Sequence, residues 1–421
     1  MTEMPLADDG TTPARIRAVI VSRLFPPEVS AGAFRLGALA ASLARRGCDV
    51  NVLSTRPPAA APAVEDPAGV HVRRWPVLRD RGGNVRGYLQ YLSFDLPLIA
   101  RLLVRDFDVV VAESPPTTGF VATVFALLKR RPVVYYAADV WTDGVISMGA
   151  PRPVIAAIRG LEQLVLRRAR GILSVSEEVS GRLVMLGADP SRVATIGNGI
   201  DTSVFTPEVV PASPGDRYFV YTGTMSEWQQ PDVFIRAFAS IVAGDPDLRL
   251  KFFGQGAVEA RLHDLAEALV PGRVDFGGVI SPRESATWIR GAVAALVSIV
   301  PGIGYDFARP TKTYAAAATG TPVLFAGPAE GGELVASAGL GLAVGFAVED
   351  VAEGMRQLLE EQSSGETERR RAQRAEWARE NLSLSAVADR ASDVVSAIAR
   401  RAPVPGVRNT PTQTNPSEES E

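Results

Sequence analysis

Two basic residues, Arg309 and Lys312, stand at the predicted start of a short helix, within the sequence ARPTKTY. Pro310 suits the first helical turn because proline lacks the N–H group that would be unpaired there. A helix N-terminus carries unpaired N–H groups and partial positive charge, so two cations beside it would make a site for a phosphate group. A helix start with two solvated surface cations is the alternative, and this stretch alone favours neither.

Asp139 ends a predicted strand at residues 132–139, two positions before Trp141. A carboxylate at the end of a strand can hydrogen-bond hydroxyl groups or accept a proton from one. The alternative is that Asp139 caps the helix that follows.

Three loops contain small residues whose backbone N–H groups could approach an anion or a hydroxyl group. None of them matches the glycine fingerprint of dinucleotide-binding proteins. Each could equally be a tight turn, or in the last case a helix cap beside the Glu333 carboxylate. The loops are Ser30-Ala31-Gly32, Gly254-Gln-Gly256 and Gly331-Gly332.

The composition excludes several classes of protein. One cysteine, Cys48, rules out an intrachain disulfide framework and is typical of a reducing compartment. His71 and His263 lie far apart, so we expect no zinc-type site and no metal. No apolar run reaches the length of a membrane span, and the acidic, polar first residues do not fit a signal peptide.

Charge is distributed unevenly along the chain. Residues 1–200 carry 24 Lys and Arg against 18 Asp and Glu, a net charge of +6, whereas the remainder carries −9. The basic half could face an anionic partner such as a membrane surface or a charged acceptor. We do not expect nucleic-acid binding, because no basic, aromatic-rich module of a known type is present.

The elements that must position these residues alternate between strand and helix, which predicts two doubly wound, Rossmann-like α/β domains. Ligands of such sheets bind beyond the carboxyl ends of the strands, so a cleft between the two domains is the expected site. The predicted strands are 16–25, 48–55, 70–77, 108–113, 132–139, 171–176 and 193–197, then 217–222, 248–253, 274–276, 294–299, 322–326 and 342–344.

The predicted organisation has six parts. Residues 1–14 and 402–421 have compositions typical of disorder. Residues 15–205 form the first domain, 206–216 a linker rich in Pro and Ser, and 217–365 the second domain. Residues 366–401 form charged helices, broken near Asn381, that we expect to pack back toward the first domain.

Taken in this order, the motifs resemble those of the retaining GT-B glycosyltransferases of family 4, in the branch of bacterial surface-polysaccharide sugar transferases. The matching segments are spread over nearly the whole chain. They are RLFPPE at 23–28 with Gly32, DVVVAESPP at 108–116, DVW at 139–141, IGNGID at 196–201 followed by Phe205, FGQG at 253–256, PTKTY at 310–314 and ATGTPV at 318–323.

The chain departs from the family pattern at two places. The family commonly has two acidic residues eight positions apart, the second of which binds the nucleotide ribose. Here Ala315 stands at the second position, and Phe307, next to Asp306, stands at the first. The loop GTMSEWQQ at 223–230 also lacks the Arg and Lys that hold the diphosphate in many members, which leaves Arg309 and Lys312 as the expected diphosphate cations.

The resemblance implies a set of site residues. A nucleotide diphosphate sugar would be the donor, with no cofactor, and Asp139, Arg309 and Lys312 would act in catalysis. Ser114 and Trp141 would contact the acceptor. Donor contacts would come from Ser30, Ala31, Gly32, Gly223, Thr224, Gly254, Gly256, Arg309, Lys312, Thr313, Gly331, Gly332 and Glu333.

Two functional hypotheses follow. The first is a cytoplasmic enzyme that transfers a hexose or N-acetylhexosamine to a hydroxyl of a glycan, lipid-linked or small-molecule acceptor with retention, by same-face attack because no carboxylate nucleophile is evident. The second is a non-catalytic GT-B partner protein that lost the ribose carboxylate at Ala315. The sugar, the base, the acceptor and the oligomeric state stay open.

The segment from Arg73 to Arg105 is both basic and apolar. Such a segment can lie at an anionic membrane surface, here the inner face of the membrane. A helix packed on the core with a solvated basic face is the alternative. Its residues are Arg73, Arg74, Arg79, Arg81, Arg86, Arg101 and Arg105, beside Tyr88, Leu89, Tyr91, Leu92 and Phe94.

Overall fold

A computed structural model describes residues 15–28, 30–58, 65–80, 85, 87–147, 149–303, 306 and 308–405. The ends predicted to be disordered, 1–14 and all but four residues of 402–421, lie outside the described residues, as do Arg81 and Arg86. The chain divides into two compact units. The first unit is Met1–Gly197 with Val387–Glu421, and the second unit is Asn198–Ala386.

The first unit is built on a parallel seven-stranded sheet. Its strand order is β3-β2-β1-β4-β5-β6-β7, so the direction of winding reverses between β1 and β4. The central strands are continuous apolar runs because helices cover both faces of such a sheet. The strands are β1 Arg17–Val21, β2 Asp49–Thr55, β3 Val70–Trp75, β4 Val109–Glu113, β5 Val133–Ala137, β6 Gly171–Ser174 and β7 Val193–Thr195.

In the described part of the first unit, six α-helices connect these strands. The first helix ends before Gly47, which has a φ of +81° and supplies the left-handed residue that commonly terminates a helix. The helices are α1 Ala31–Arg45, α2 Tyr88–Leu103, α3 Pro116–Leu128, α4 Trp141–Ser147, α5 Arg152–Arg168 and α6 Glu177–Met185.

The second unit repeats the scheme with six parallel strands in the order β10-β9-β8-β11-β12-β13, and its winding reverses between β8 and β11. The predicted fold class, two doubly wound Rossmann-like domains, is confirmed. The strands are β8 Tyr218–Thr222, β9 Arg249–Phe253, β10 Val274–Phe276, β11 Ala294–Ser298, β12 Val323–Ala326 and β13 Gly341–Val344. The helices are α7 Asp232–Ile241, α8 Glu259–Leu269, α9 Pro282–Gly291, α10 Thr311–Ala318, α11 Ala329–Ser337, α12 Val348–Ser363, α13 Glu366–Arg369 and α14 Arg371–Asn381.

The last helix, α15 (Leu384–Ala399), belongs mostly to the first unit. Its apolar face, including Val394 and Ile398, packs into the core of that unit. The Ser42 hydroxyl donates to Asp389 Oδ1 at 2.5 Å. The chain therefore leaves the first unit after Gly197 and returns at Val387. The chain thus crosses to the second unit at Gly197, before the predicted linker at 206–216. Phe205, which the prediction assigned to the first domain, is buried in the core of the second unit.

Candidate active site

In the first unit, the ends of β1 and β4 meet at a buried carboxylate. The hydroxyl of Ser22 donates to Glu113 Oε2 at 2.5 Å, and both side chains are buried. Arg35 Nη2 lies 3.7 Å from Glu113 Oε1. Burial raises the pKa of Glu113, while the Ser22 hydrogen bond and the charges of Arg35 and Arg23 oppose that rise. This carboxylate stands where the winding of the sheet reverses, the usual ligand position in such folds.

The start of α1 packs directly against Glu113. The Ser30 hydroxyl accepts a hydrogen bond from the Ala33 N–H at 3.1 Å, which caps the helix. A Cβ at Gly32 would lie 2.7 Å from Glu113 Oε1, so only glycine fits without displacing the carboxylate. Packing against Glu113 alone therefore explains why residue 32 is a glycine. Binding of an anion by Ser30, Ala31 and Gly32 stays a prediction.

Asp139 is exposed and does not cap α4. The N–H groups of Trp141 and Thr142 instead donate to the two carboxylate oxygens of Glu162, both at 2.9 Å, and the Thr142 hydroxyl donates to Glu162 Oε2. Glu162 lies on α5 and is fully buried. The carboxylate of Asp139 makes no hydrogen bond within the described part of the chain. It lies close enough to Glu113 to raise the pKa of that carboxyl by charge repulsion.

An arginine and two aromatic rings connect Trp141 to the end of β1. The guanidinium of Arg23 lies 4.1 Å from the centre of the Tyr91 ring, and Tyr91 meets Trp141 edge-on at 5.7 Å between ring centres. Ser114 follows Glu113, is half-buried, and donates its N–H to Tyr136 O. Ser114 follows β4, and Asp139 and Trp141 follow β5, so all three lie at the carboxyl-terminal edge of the first sheet.

In the second unit, Lys312 from α10 reaches the loop that follows β8. Its Nζ atom lies 3.7 Å from the centre of the Tyr221 ring and 3.5 Å from Gln229 Oε1. The Tyr221 hydroxyl lies 2.7 Å from the same Gln229 oxygen. Atoms Cε and Nζ of Lys312 come within 4 Å of the space that a Cβ on Gly223 would occupy. The ammonium therefore lies where the winding of the second sheet reverses.

Burial lowers the pKa of Lys312 to about 7. No carboxylate within the described residues forms an ion pair with it. Desolvation disfavours the ammonium form, and a bound anion would restore it. The position of the Lys312 ammonium therefore favours the binding of an anion.

Two glycines of the predicted donor loop 254–256 pack against the loop that follows β8. A Cβ at Gly254 would lie 2.0 Å from Gly223 O, and a Cβ at Gly256 would lie 2.1 Å from Met225 O. Gly223 itself has a φ of +111°. These contacts fix the course of the loop beside Lys312, and they explain Gly254 and Gly256 by backbone packing. Gly223 and Thr224 are exposed.

The start of α10 presents Arg309 differently from Lys312. The helix begins at Thr311, and no side chain caps its first turn. Arg309 is exposed and forms no ion pair with any residue that the structure describes. Thr313 and Ala315 are buried. Asp306, next to the first acidic position of the family, accepts a hydrogen bond from the Gly302 N–H and so serves its own loop.

The glycine pair of α11 is buried rather than open. A Cβ at Gly331 would lie 2.8 Å from Phe325 Cζ, and one at Gly332 would lie 2.7 Å from the Cβ of Ala343. The N–H of Gly332 is already bonded to Pro328 O. Glu333 is exposed and caps nothing. Any donor contact of this segment would have to come from Glu333 and the first turn of the helix.

Sequence reasoning missed Glu113, Glu162, Tyr221 and Gln229 as site residues. Glu162 had a detectable pattern, because it shares the helical face of Ile158, Val165 and Leu166 and is charged where those three are apolar. Gln229 lies in the loop that lacks the family cations, so its contact with Lys312 needed the fold. Among the described residues, no group of three or more His, Cys, Asp or Glu could hold a metal ion. No described helix is both long and apolar enough to cross a bilayer.

Two family models match in series along the chain. Residues 31–199 match the glycosyl transferase 4-like domain, and residues 205–377 match the glycosyl transferases group 1. The chain belongs to the family 4 glycosyltransferases of the GT-B type. The family membership that the motifs indicate is therefore confirmed, while the surface-polysaccharide branch and retention of configuration stay predictions.

The chain is also similar to several named glycosyltransferases. The chain is 29% identical to D-inositol 3-phosphate glycosyltransferase of Mycolicibacterium smegmatis over 77% of this chain and 78% of that protein. It is also 29% identical to D-inositol 3-phosphate glycosyltransferase 2 of Catenulispora acidiphila, but over only 44% of this chain and 46% of that protein. The match to D-inositol 3-phosphate glycosyltransferase of Thermobifida fusca, at 30% identity, likewise covers only 40% of this chain and 42% of that protein.

Solved structures show the same fold at low identity. Anabaena HepE in complex with UDP gives a TM-score of 0.62 at 16% identity, covering 91% of this chain and all of that one. Sucrose-phosphate synthase from Thermosynechococcus elongatus gives 0.64 at 17% identity, covering 92% of this chain and all of that one.

Proposed function

We propose that this family 4 member transfers a hexose or N-acetylhexosamine from a nucleotide diphosphate sugar to an acceptor hydroxyl, with retention of configuration. The observation that carries the proposal is the Lys312 ammonium, held beside Gly223 where the winding of the second sheet reverses. The bound UDP in HepE and the names of the relatives support a nucleotide sugar as donor.

The leaving diphosphate would be neutralised by Lys312, by Arg309 and by the uncapped first turn of α10. Stabilising the charge that builds on a leaving group is usually the largest contribution to such a reaction. Two cations and a helix N-terminus can supply this charge without a divalent metal. We therefore expect chelation with EDTA to leave the rate of transfer unchanged.

The acceptor would bind along the strand edge that carries Ser114, Asp139 and Trp141. The exposed Asp139 carboxylate is free to accept or orient an acceptor hydroxyl. Glu113 is buried against Ser22 and Gly32, so it is poorly placed to act as a nucleophile. Same-face attack, which the family resemblance implies, needs no such group.

The acceptor is proposed to be lipid-linked and to be met at the inner face of the membrane. Helix α2 buries Phe94 and Leu98 on one side and leaves an apolar stripe exposed on the other. The single acidic residue of α2, Asp95, is buried, so no carboxylate of this helix opposes contact with an anionic surface. The exposed stripe consists of Leu89, Leu92, Leu96, Ile99 and Leu103.

Most described arginines between Arg73 and Arg105 already bind other groups of the protein. We therefore expect the apolar residues of α2, rather than these arginines, to contact the membrane. Arg74 pairs with Asp66, and Arg79 pairs with Glu28. Arg101 donates to Arg73 O, and burial lowers its pKa to about 10. Area removed from water, not charge, would thus dominate adsorption of α2.

The proposal is tested with purified protein and a panel of UDP- and GDP-sugars. We expect one donor to be hydrolysed slowly without acceptor and transferred faster with acceptor, and the anomeric proton couplings of the product to match the donor configuration. A protein that binds UDP or GDP but neither hydrolyses nor transfers any sugar would be the non-catalytic partner instead. An inverted product would leave the transferase proposal standing and remove retention.

A further inference from the structure

A cavity of about 750 Å³ lies in the first unit, at the amino ends of β5, β6 and β7. The proposed acceptor residues lie at the carboxyl ends of the strands, so the cavity is at the other edge of the same sheet. Its volume falls within the usual range for small-molecule sites. No step of the proposed transfer reaction uses it.

Six arginines line this cavity. Four of them are exposed and form no ion pair with a described residue, whereas Arg131 lies 3.5 Å from Asp108 and Arg192 lies 3.2 Å from Asp189. No carboxylate-bearing residue is among the described residues that line the cavity. The four exposed arginines are Arg130, Arg168, Arg170 and Arg401.

Such a concentration of like charge attracts anions, because guanidinium groups stay charged at any physiological pH and no carboxylate is among the described residues that line the cavity. Their planar forks bind phosphate through paired hydrogen bonds. The lining of the cavity also includes the apolar residues Leu127, Val133, Ile398 and Val404. A ligand that suits both surfaces carries phosphate groups on a compact organic body.

Two arginines of the cavity lie at helix ends. Arg130 has a φ of 55° two residues after the end of α3, and Arg401 has a φ of 60° two residues after the end of α15. Their N–H groups donate to Leu127 O and Ile398 O, as expected of the left-handed residue that commonly terminates a helix. These two helix ends hold both arginines at the cavity.

We propose that this arginine cavity, defined by its six arginines, is a second anion site, which binds a phosphate-bearing small molecule of nucleotide size. The phosphate could come from a free metabolite or from the headgroup of an anionic lipid, since both offer the same group to the guanidinium forks. The site is independent of the donor diphosphate at Lys312.

The test uses the full chain, with UDP at saturating concentration to occupy the donor site. Inorganic pyrophosphate and ATP are titrated calorimetrically into the wild type, Arg168→Gln/Arg170→Gln and Arg152→Gln/Arg159→Gln. The last pair removes the same charge from exposed positions on α5 that do not line the cavity. UDP affinity of each variant reports whether the fold is kept.

We expect one site in the wild type, at least about tenfold weaker in Arg168→Gln/Arg170→Gln and unchanged in the control pair. Sedimentation with vesicles of phosphatidic acid distinguishes the two phosphate sources when every protein also carries Leu89→Glu/Leu96→Glu, which removes binding through α2. In that background, loss of vesicle binding in the cavity variant alone indicates a lipid headgroup. Equal affinities in all three proteins, or equal losses in both variants, would overturn the proposal.

Discussion

Lys312 holds its ammonium group among an aromatic face, an amide oxygen and glycine backbone, without a carboxylate partner among the described residues. The ring and the amide compensate only part of the lost hydration. A diphosphate placed there would gain a charged hydrogen bond and would also relieve this cost. The residue is thus expected to matter more for donor binding than the exposed Arg309.

Replacing Lys312 by methionine keeps the packing of the side-chain stem and removes the charge. We expect UDP to bind about tenfold more weakly or worse, because a charged hydrogen bond contributes about 1.5–3 kcal/mol. Arg309→Ala should have a smaller effect. Lys251→Met is the control, because Lys251 pairs with Asp275 in the same unit. Calorimetry that gave unchanged affinity for UDP and GDP in Lys312→Met would remove Lys312 from the donor site.

Nucleotide binding should also depend on pH through Lys312. Its pKa is about 7 in the free protein, and a bound diphosphate stabilises the charged form and raises that pKa. Binding at pH 8 should therefore take up a proton, and affinity should fall as pH rises above 7. Titrations in two buffers of different ionisation enthalpy measure this uptake, which Lys312→Met should abolish. Proton release on binding by the wild type would contradict the assignment.

The same shift has a consequence for stability with the opposite sign. The unfolded chain holds the Lys312 proton up to its ordinary pKa, whereas the folded second unit releases it near pH 7. Between these values the unfolded state binds more protons, so the Lys312 contribution to stability rises with pH across that window.

Substitution of Asp139 tests the proposed acceptor site beside Ser114 and Trp141. Asp139→Asn keeps the size of the side chain and removes its basicity, so turnover should fall about a hundredfold or more while donor affinity stays constant. Asp143→Asn is the matched control, because Asp143 is bound to Arg182 on the surface. If donor affinity falls in Asp139→Asn and turnover does not, Asp139 supports the fold rather than the reaction.

At the scale of elements, α4 depends on a residue from its neighbour. Its first N–H groups are satisfied by Glu162 of α5, so this buried side chain holds Trp141 at the acceptor edge. A helix of seven residues has little stability of its own and needs such a cap.

Glu162→Ala should therefore loosen α4 selectively. Loss of the carboxylate leaves two N–H groups and a buried hydroxyl without partners, at a cost of about 1–3 kcal/mol for each group that water cannot reach. We expect faster hydrogen exchange at Trp141–Ser147, with other helices of the first unit unaffected, and Glu162→Gln should be intermediate. The exposed Glu177→Ala on α6 serves as control. Unchanged protection of α4 in Glu162→Ala would show that the cap is dispensable.

The elements themselves were largely predictable, because apolar runs and glycines mark where parallel strands begin and end. All thirteen strands fall within or next to their predicted ranges, and the predicted break near Asn381 separates α14 from α15. Helix α4 was considered only as the helix that Asp139 could cap, and α6 was not predicted, since both are short. The contacts of Lys312 with Tyr221 and Gln229 join residues about ninety positions apart, and local patterns carry no information on such pairs.

At the scale of the whole molecule, the exposed stripe of α2 is proposed to bind a bilayer. It extends over fifteen residues, or about 22 Å at 1.5 Å per residue. Leu89→Glu/Leu96→Glu should abolish sedimentation with anionic vesicles, because the charges would have to enter the acyl boundary. Met185→Glu/Val279→Glu, at exposed apolar positions outside the stripe, should not. A wild type that binds no vesicles but dimerises through α2 in analytical ultracentrifugation would identify a second copy as the occupant.

The return of α15 to the first unit reverses the usual order of folding during synthesis. Domains generally fold as the ribosome releases them, the N-terminal one first. Here the groove beside Gly171 that receives Val394 and Ile398 cannot be filled until the α15 residues emerge. By then the whole of Asn198–Ala386 has been translated. The unit that is begun first is thus completed last, and a nascent chain stalled before Val387 would hold a finished second unit and an open first one.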